Sequence, residues 1–194
     1  MNTGSMLATG LSARIRSSLC YATVTVGLCL ALIIPAQAAL WNSTNVQILS
    51  GNGFELGADK RTIFTLENAL GWKYGDSFFF MDVTDPFDTK DSSLYAEFSP
   101  RFSLGSLTGK EMSFGIVKDV MIASNIEMGE GVRGYLLGVG LPLALPGFKF
   151  ADINLYARKS ERDFAPDNTD TGGQITLVWN RPFSLGATKW TFEG

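Results

Sequence analysis

Apolar and polar residues alternate with a period of two along most of the chain beyond residue 40. In 151–158 the apolar positions are Ala151, Ile153, Leu155 and Ala157, and every position between them is polar. The same alternation recurs in three further segments, 62–73, 94–103 and 174–180. Successive side chains of a strand point to opposite faces, so this pattern predicts strands with one apolar and one polar face. The chain is therefore predicted to be all-β and antiparallel.

Turn residues divide the pattern into nine predicted strands, at 43–50, 62–73, 77–83, 93–103, 111–122, 133–143, 149–159, 173–181 and 189–194. The connections alternate between short ones and longer, more polar ones. The predicted long connections are 51–61, 84–92, 123–132 and 160–172. A transmembrane β-barrel has short turns at one rim and longer loops at the other, and its apolar residues face outward. A soluble β-sandwich would instead bury them, and the loop pattern favours the barrel.

The first 38 residues are predicted to be a signal peptide. Arg14 and Arg16 precede an apolar run from Cys20 to Ile34, and Ala36-Gln37-Ala38 supplies a small-residue cleavage site. The alternative is a retained transmembrane helix, but the run has 15 residues and a helix needs about 20 to span hydrocarbon. We therefore expect a signal peptide at 1–38 and an outer-membrane barrel domain at 39–194.

The composition of the chain excludes several classes of enzyme. The chain has no histidine, so it can form neither a Ser-His-Asp triad nor a histidine-ligated zinc site. Its two cysteines, Cys20 and Cys29, both lie in the predicted signal peptide. Sixteen basic against 19 acidic residues give a net charge of −3, which argues against a nucleic-acid surface. We predict no catalytic residue, no metal site, no cofactor and no nucleic-acid partner.

The last predicted strand stops in mid-pattern. Trp190 and Phe192 alternate with polar residues up to Gly194, and nine strands is an odd number, whereas single-chain bacterial barrels have an even one. Unpaired backbone groups at an open sheet edge have no partners in hydrocarbon. The sequence therefore predicts a barrel that is incomplete at its C-terminus. Five aromatic residues near strand ends are candidates for an interfacial girdle, namely Trp41, Trp72, Tyr74, Trp179 and Trp190.

Four stretches together resemble the Tsx-like nucleoside-specific channels and the related OmpK-type outer-membrane proteins. They are Gly71-Trp-Lys-Tyr-Gly-Asp-Ser-Phe-Phe-Phe-Met-Asp82, Tyr95-Ala-Glu-Phe-Ser-Pro-Arg-Phe-Ser-Leu104, Val117-Lys-Asp-Val120 and Lys189-Trp-Thr-Phe-Glu-Gly194. The resemblance implies a 12-stranded outer-membrane barrel around a narrow, aromatic-lined channel for nucleosides. It also implies a C-terminal aromatic residue, read by the assembly machinery, which this chain lacks. We expect a monomer.

Candidate lumen residues lie on the polar sides of the predicted strands. They are Phe78, Phe80 and Asp82 in the third strand, Tyr95, Glu97 and Arg101 in the fourth, and Asn154, Tyr156 and Arg158 in the seventh. Aromatic rings would stack on a nucleobase and polar groups would bind the sugar hydroxyls. The alternative for the charged residues is a set of ion pairs that brace the barrel. For the phenylalanines it is burial on both faces.

Lys118 and Asp119 break the alternation of the predicted fifth strand. The parity of Phe114, Ile116 and Val120 would point Lys118 toward lipid, where a lysine is costly. A β-bulge re-aims side chains, and we predict one here that turns both charges inward. The alternative is a lysine that snorkels to the rim.

These patterns predict a passive outer-membrane channel for nucleosides or similar small solutes. Its partners would be the lipid bilayer, its solutes and the outer-membrane assembly machinery. The alternatives are a general small-solute porin without selectivity, and a receptor barrel whose loops are used by phage or bacteriocins.

Overall fold

A computed structural model describes residues 39–55, 58–88, 92–165 and 169–194. The predicted signal peptide, 1–38, lies outside these residues, so its prediction stays untested. The strands are β1 (Ala39–Asn52), β2 (Lys60–Trp72), β3 (Gly75–Thr84), β4 (Ser93–Ser103), β5 (Met121–Gly129), β6 (Val132–Pro142), β7 (Phe150–Arg162), β8 (Thr169–Leu185) and β9 (Thr188–Glu193), with one short helix, α1 (Leu104–Thr108), after β4.

The nine strands form one sheet in sequential order, β1 to β9. Pairing from β2 to β9 is antiparallel throughout, which confirms the all-β, antiparallel prediction. Within the part of the chain that the structure describes, β1 and β9 each have one neighbour in the sheet. No helix among those residues has the length and apolar character needed to cross a membrane.

The strand register assigns every side chain to one of two faces. Glu67 pairs with Phe80, Phe80 with Glu97, and Glu97 with Glu127. Directly opposed residues lie on the same side of a sheet, so these four side chains share one face. We call this side the polar face and the other the apolar face. The apolar face presents Phe98, Ile126, Leu137, Leu155 and Ile175.

Burial is inverted relative to a water-soluble protein. On the apolar face Leu137 is 63% exposed and Ile175 is 70% exposed, whereas on the polar face Asn154 is 3% exposed and Asp152 is 7% exposed. A soluble sandwich would cover the apolar side chains with a second layer. A sheet whose apolar side contacts lipid instead exposes its leucines and buries its polar groups.

The predicted fifth strand is wrong in its bounds. The strand begins at Met121 and ends at Gly129, not at 111–122. The preceding stretch contains α1 and two isolated bridges, Phe114 to Val117 and Val117 to Leu143. Gly109 and Gly115 adopt positive φ angles of 67° and 57°, which a continuous strand does not contain.

The predicted alternation of short and long connections is also wrong. The connection placed at 123–132 is a two-residue turn between β5 and β6, whereas the one expected to be tight, after β4, runs from residue 104 to residue 120. Gly131 occupies this turn with a φ of 65°, a conformation that glycine adopts without steric cost. The inverted burial, and not the loop lengths, therefore distinguishes membrane barrel from sandwich.

Candidate functional site

Arg101 links three strands on the polar face. Its guanidinium donates to both carboxylate oxygens of Asp76 on β3, with Nε to Oδ1 at 2.7 Å and Nη2 to Oδ2 at 2.9 Å. Its Nη1 also reaches β7, where it lies 3.0 Å from Asp152 Oδ1 and 3.3 Å from Asn154 Oδ1. Bidentate, charge-assisted pairs of this kind are the strong ones. These hydrogen bonds hold Arg101 against the strands of the polar face.

Small residues beneath Arg101 make this reach possible. Ala123 on β5 is fully buried, and Gly138 and Gly140 face the same side on β6. A Cβ at Gly140 would stand 2.7 Å from Asn154 Oδ1, which is too close for an atom that cannot move away. The glycines therefore leave the volume that the polar side chains fill.

Arg158 forms a second cluster in the same way. Its Nη1 and Nη2 donate to the two carboxylate oxygens of Glu127 on β5, at 2.8 and 2.5 Å. Nη1 also donates to Gln174 Oε1 on β8 at 2.6 Å. Gly134 of β6 lies between the two charged residues, and a Cβ there would stand 2.5 Å from Glu127 Oε2. Two arginine-centred clusters therefore join strands across the polar face between β3 and β8.

Aromatic rings and carboxylates stand together where the polar face passes from β3 to β4. The Phe80 and Tyr95 rings meet edge to face, with centroids 6.4 Å apart. Tyr95 donates its hydroxyl to Glu97 Oε1 at 2.7 Å, and Asp82 Oδ1 accepts from Thr65 Oγ1 at 2.5 Å. Phe78 points to the same side and is 40% exposed. Phe80, Asp82, Tyr95 and Glu97 are half-buried.

The predicted lumen residues fall into two groups. Those left at least partly exposed are Phe78, Phe80, Asp82, Tyr95 and Glu97, of which Glu97 also accepts from Asn125 of β5 at 3.1 Å. Those locked into the wall are Arg101, Asn154, Tyr156 and Arg158. Tyr156 is 8% exposed and packs with Ala123 and Leu136, so its ring does not present a stacking face. All nine lie on the polar face, as the alternation predicts.

The register around Lys118 and Asp119 contains one extra residue. Met121 pairs with Gly140, but Val117 pairs with Leu143, so three residues on one side oppose two on the other. A β-bulge has the same count of residues, but residues 118–120 lie before β5 and not within a strand, so the bulge that turns both charges inward stays a prediction. The Lys118 N–H donates to the Pro142 carbonyl at 2.8 Å, and Pro142 pairs with Asp152 of the polar face. Lys118 is exposed and close enough to Asp152 for Coulombic attraction.

Asp119 holds the connection after β4 in place. One carboxylate oxygen accepts from the Ser103 hydroxyl, and the other accepts from the backbone N–H groups of Gly105 and Val120, at 3.2 and 2.8 Å. Ser103 in turn caps α1 by accepting from the Ser106 N–H at 2.9 Å. Asp119 therefore has a structural role that its position in the sequence did not indicate.

Four further side chains on the polar face were not among the predicted lumen residues. Glu67 accepts from Asn45 and Gln47 of β1, and Trp41 lies against Gly71 of β2. Trp41 is thus not in an outward girdle, which corrects its prediction, whereas Trp72 meets Phe102 on the apolar face at 6.0 Å. The alternation of polar residues along β1 is the feature of the sequence from which these positions could have been predicted.

Comparison with known proteins agrees with this geometry. The family described as nucleoside-specific channel-forming protein, Tsx, matches residues 38–192. The chain is 29% identical over 130 residues to outer membrane protein OmpK of Vibrio parahaemolyticus, covering 61% of this chain and 47% of that protein. It is 29% identical over 103 residues to OmpK of Vibrio parahaemolyticus serotype O3:K6 (strain RIMD 2210633), covering 48% and 36%.

The chain spans less than half the length of either relative, whereas the family match covers most of the chain itself. That match, in a chain whose sheet exposes its apolar side, identifies an outer-membrane protein and not an enzyme. The chain belongs to the Tsx family of nucleoside-specific channel-forming proteins.

Proposed function

We propose that the protein forms a passive channel through which nucleosides and similar small polar solutes cross the outer membrane. The observation that carries this proposal is the group of half-buried rings and carboxylates on β3 and β4, namely Phe78, Phe80, Asp82, Tyr95 and Glu97. This group lies on the same face of the sheet as the two arginine-centred clusters. A solute on the polar face would meet these groups.

The chemistry of this group suits a nucleoside. A base stacked on one aromatic ring gains roughly 1–3 kcal/mol, which is enough to select a flat solute and weak enough to release it. The carboxylates are hydrogen-bond acceptors only, and ribose hydroxyls are donors that they can bind. No covalent chemistry is needed.

The arginine clusters support the same proposal by a different route. Arg101 and Arg158 use their donors on wall residues and brace the sheet. Ion pairs that are satisfied within the wall do not hold a passing solute. We propose that these ion pairs determine the shape of the channel and that the exposed Lys118 lies at its mouth.

We propose further that residues 1–38 direct export and are removed, and that the outer-membrane assembly machinery inserts the chain as a monomer. Lipid would contact the apolar face, where leucine and isoleucine side chains are half or more exposed. The test of the leader is the N-terminal sequence of the protein recovered from outer membranes. Cleavage after Ala38 is expected, and an intact Met1 would contradict it.

Uptake into liposomes tests the channel. Vesicles that contain the outer-membrane protein should take up radiolabelled adenosine or uridine faster than labelled sucrose, and excess unlabelled nucleoside should reduce the rate. Equal uptake of sucrose, without competition, would indicate a general porin. No uptake of any solute would contradict the channel and favour a receptor barrel.

A further inference from the structure

We infer that β1 supplies a second wall of the solute path, in which Trp41 is a stacking surface and Asn45 and Gln47 recognise the polar edge of a nucleobase. This inference rests on the proposed function and adds residues to it. Trp41, Asn45 and Gln47 are separated by even numbers of positions in β1, so they face the same side. Their contacts on β2 establish which side that is.

Trp41 lies on the polar face. A Cβ placed on Gly71 would collide with the indole nitrogen of Trp41. Gly71 pairs with Asp76, whose carboxylate binds Arg101 on the polar face. The indole therefore covers the polar side of β2, and about half of its surface remains exposed. The absence of a side chain at Gly71 is what lets the ring lie against the strand.

Asn45 and Gln47 are oriented by one carboxylate. Asn45 Nδ2 lies 2.9 Å and Gln47 Nε2 lies 3.4 Å from Glu67 Oε2. Because an amide carries its donor and acceptor on one carbon, a contact at each nitrogen restricts where its carbonyl oxygen can point. Neither carbonyl oxygen has a partner among the residues that the structure describes, and both side chains are exposed on the polar face.

The amide pair lies on the strand next to Glu67, two strands away from the Phe80 ring. Glu67 is directly opposite Phe80 in the register, and Phe80 contacts Tyr95. A base stacked near these rings would therefore lie beside the β1 amides. Asparagine and glutamine amides pair with the adjacent donor and acceptor of a base edge, as they do with adenine in nucleic-acid recognition. The expected ligand class is a nucleoside with an unmodified hydrogen-bonding edge.

The other face of β1 provides a matched control. Asn42 and Thr44 lie between the three proposed residues in sequence, but they contact Asn68, which shares the apolar face with its partner Phe79. Replacing them changes the same strand, and the same kinds of side chain, without touching the proposed wall. A loss of strand stability would therefore affect both pairs of variants.

The test is block of ion current by adenosine in planar bilayers that contain the outer-membrane protein. Trp41→Ala should raise the half-blocking concentration at least about fivefold, because one stacked base is worth that much or more. Asn45→Ala with Gln47→Ala should raise it by a similar factor, because a good bidentate amide pair with a base edge is worth as much. Trp41→Phe should retain most of the block, because it keeps a ring. Asn42→Ala with Thr44→Ala should leave the half-blocking concentration unchanged.

Gly71→Ala gives an independent check, because it displaces the Trp41 ring without altering it, and should reproduce the Trp41→Ala effect. 7-Deazaadenosine, which lacks the N7 acceptor that such an amide binds, should block the unsubstituted channel less well than adenosine. It should lose this disadvantage in the Asn45/Gln47 double variant. Unchanged adenosine block in that double variant would overturn the inference. Absence of block in the unsubstituted channel would instead overturn the proposed function.

Discussion

Arg101 on β4 and Asp152 on β7 are joined by a hydrogen bond of 3.0 Å across the two intervening strands. The bond crosses Ala123 of β5 and the glycines of β6, which leave no side chain in its way. Asp152 is 7% exposed, and the Arg101 side chain is 16% exposed. This contact makes the polar face of four strands one connected wall.

Removing Arg101 should weaken the fold severely. Arg101→Ala leaves Asp76 and the buried Asp152 without their cation, and breaking a buried pair from one side costs about 3–5 kcal/mol. Arg101→Lys cannot form the fork with Asp76 and should lose an intermediate amount. Urea unfolding in lipid vesicles measures both. As a control, Arg133→Ala removes an exposed arginine that pairs with Glu161 and Asp163 at the strand ends. Comparable losses in Arg133→Ala and Arg101→Ala would contradict the special role of the buried contact.

Gly138 should not tolerate a side chain. A Cβ there would collide with the Leu155 carbonyl of β7, so Gly138→Ala must separate two paired strands. Overpacking of this kind costs about 1–3 kcal/mol. Gly172 of β8 has nothing within 4 Å of the equivalent position, and Gly172→Ala should be neutral. The denaturation midpoints of the two variants give the comparison. A Gly138→Ala midpoint equal to that of the parent would show that the strands move apart at no cost.

Asp119 should anchor the connection between β4 and β5. Asp119→Ala deprives the Ser103 hydroxyl and two backbone N–H groups of their acceptor, and each unsatisfied buried donor costs about 1–3 kcal/mol. Hydrogen exchange at Gly105 and Val120 should accelerate. Glu111→Ala, which removes an exposed partner of Ser113, is the control. Unchanged exchange at both amides would mean that the carboxylate does not hold the connection.

Lys118 should act on permeating ions and not on stability. It is exposed, and its backbone N–H donates to Pro142, the partner of Asp152 in the register. Lys118→Gln removes a positive charge from the proposed mouth, so the reversal potential in a KCl gradient should shift toward K⁺. Lys110→Gln, in the same connection, should give no shift. A more stable Lys118→Gln channel with unaltered selectivity would place the lysine against lipid.

Tyr95 should contribute through its ring more than through its hydroxyl. Tyr95→Phe removes the hydrogen bond to Glu97 but keeps the stacking surface, and nucleoside block should change little. Tyr95→Ala should raise the half-blocking concentration several-fold, because one stacked base is worth roughly 1–3 kcal/mol. Bilayer recordings with uridine measure this difference. Equal effects of the two substitutions would assign the role to the hydroxyl.

Alternation alone predicted which side chains share the polar face, because the period of a strand does not depend on its neighbours. Tyr95, Glu97 and Arg101 lie together for that reason. Which of them are accessible could not be predicted, because accessibility depends on contacts between distant strands. Arg101 is covered by Asp152, 51 positions away.

The fifth strand was missed for a related reason. Beneath Arg101 the strand presents the small Ala123, and opposite Ser103 it presents the apolar Met121, so no polar residue marks its polar face there. The stretch before it contains Phe114 and Ile116 in alternation, but Gly115 turns the chain there. Local periodicity therefore favoured the wrong segment, because contacts with other strands, such as that of Ala123 with Arg101, fix where the strand runs.

The central claim is that the apolar face contacts lipid while the polar face encloses water. Phe98 and Ser99 are neighbours in the middle of β4 and lie on opposite faces, and the only cysteines are Cys20 and Cys29. After export, spin labels attached at Phe98→Cys and Ser99→Cys can therefore be placed one at a time. In lipid vesicles, oxygen should relax the label at position 98 and a water-soluble nickel complex should relax the one at 99. The opposite result would contradict the account.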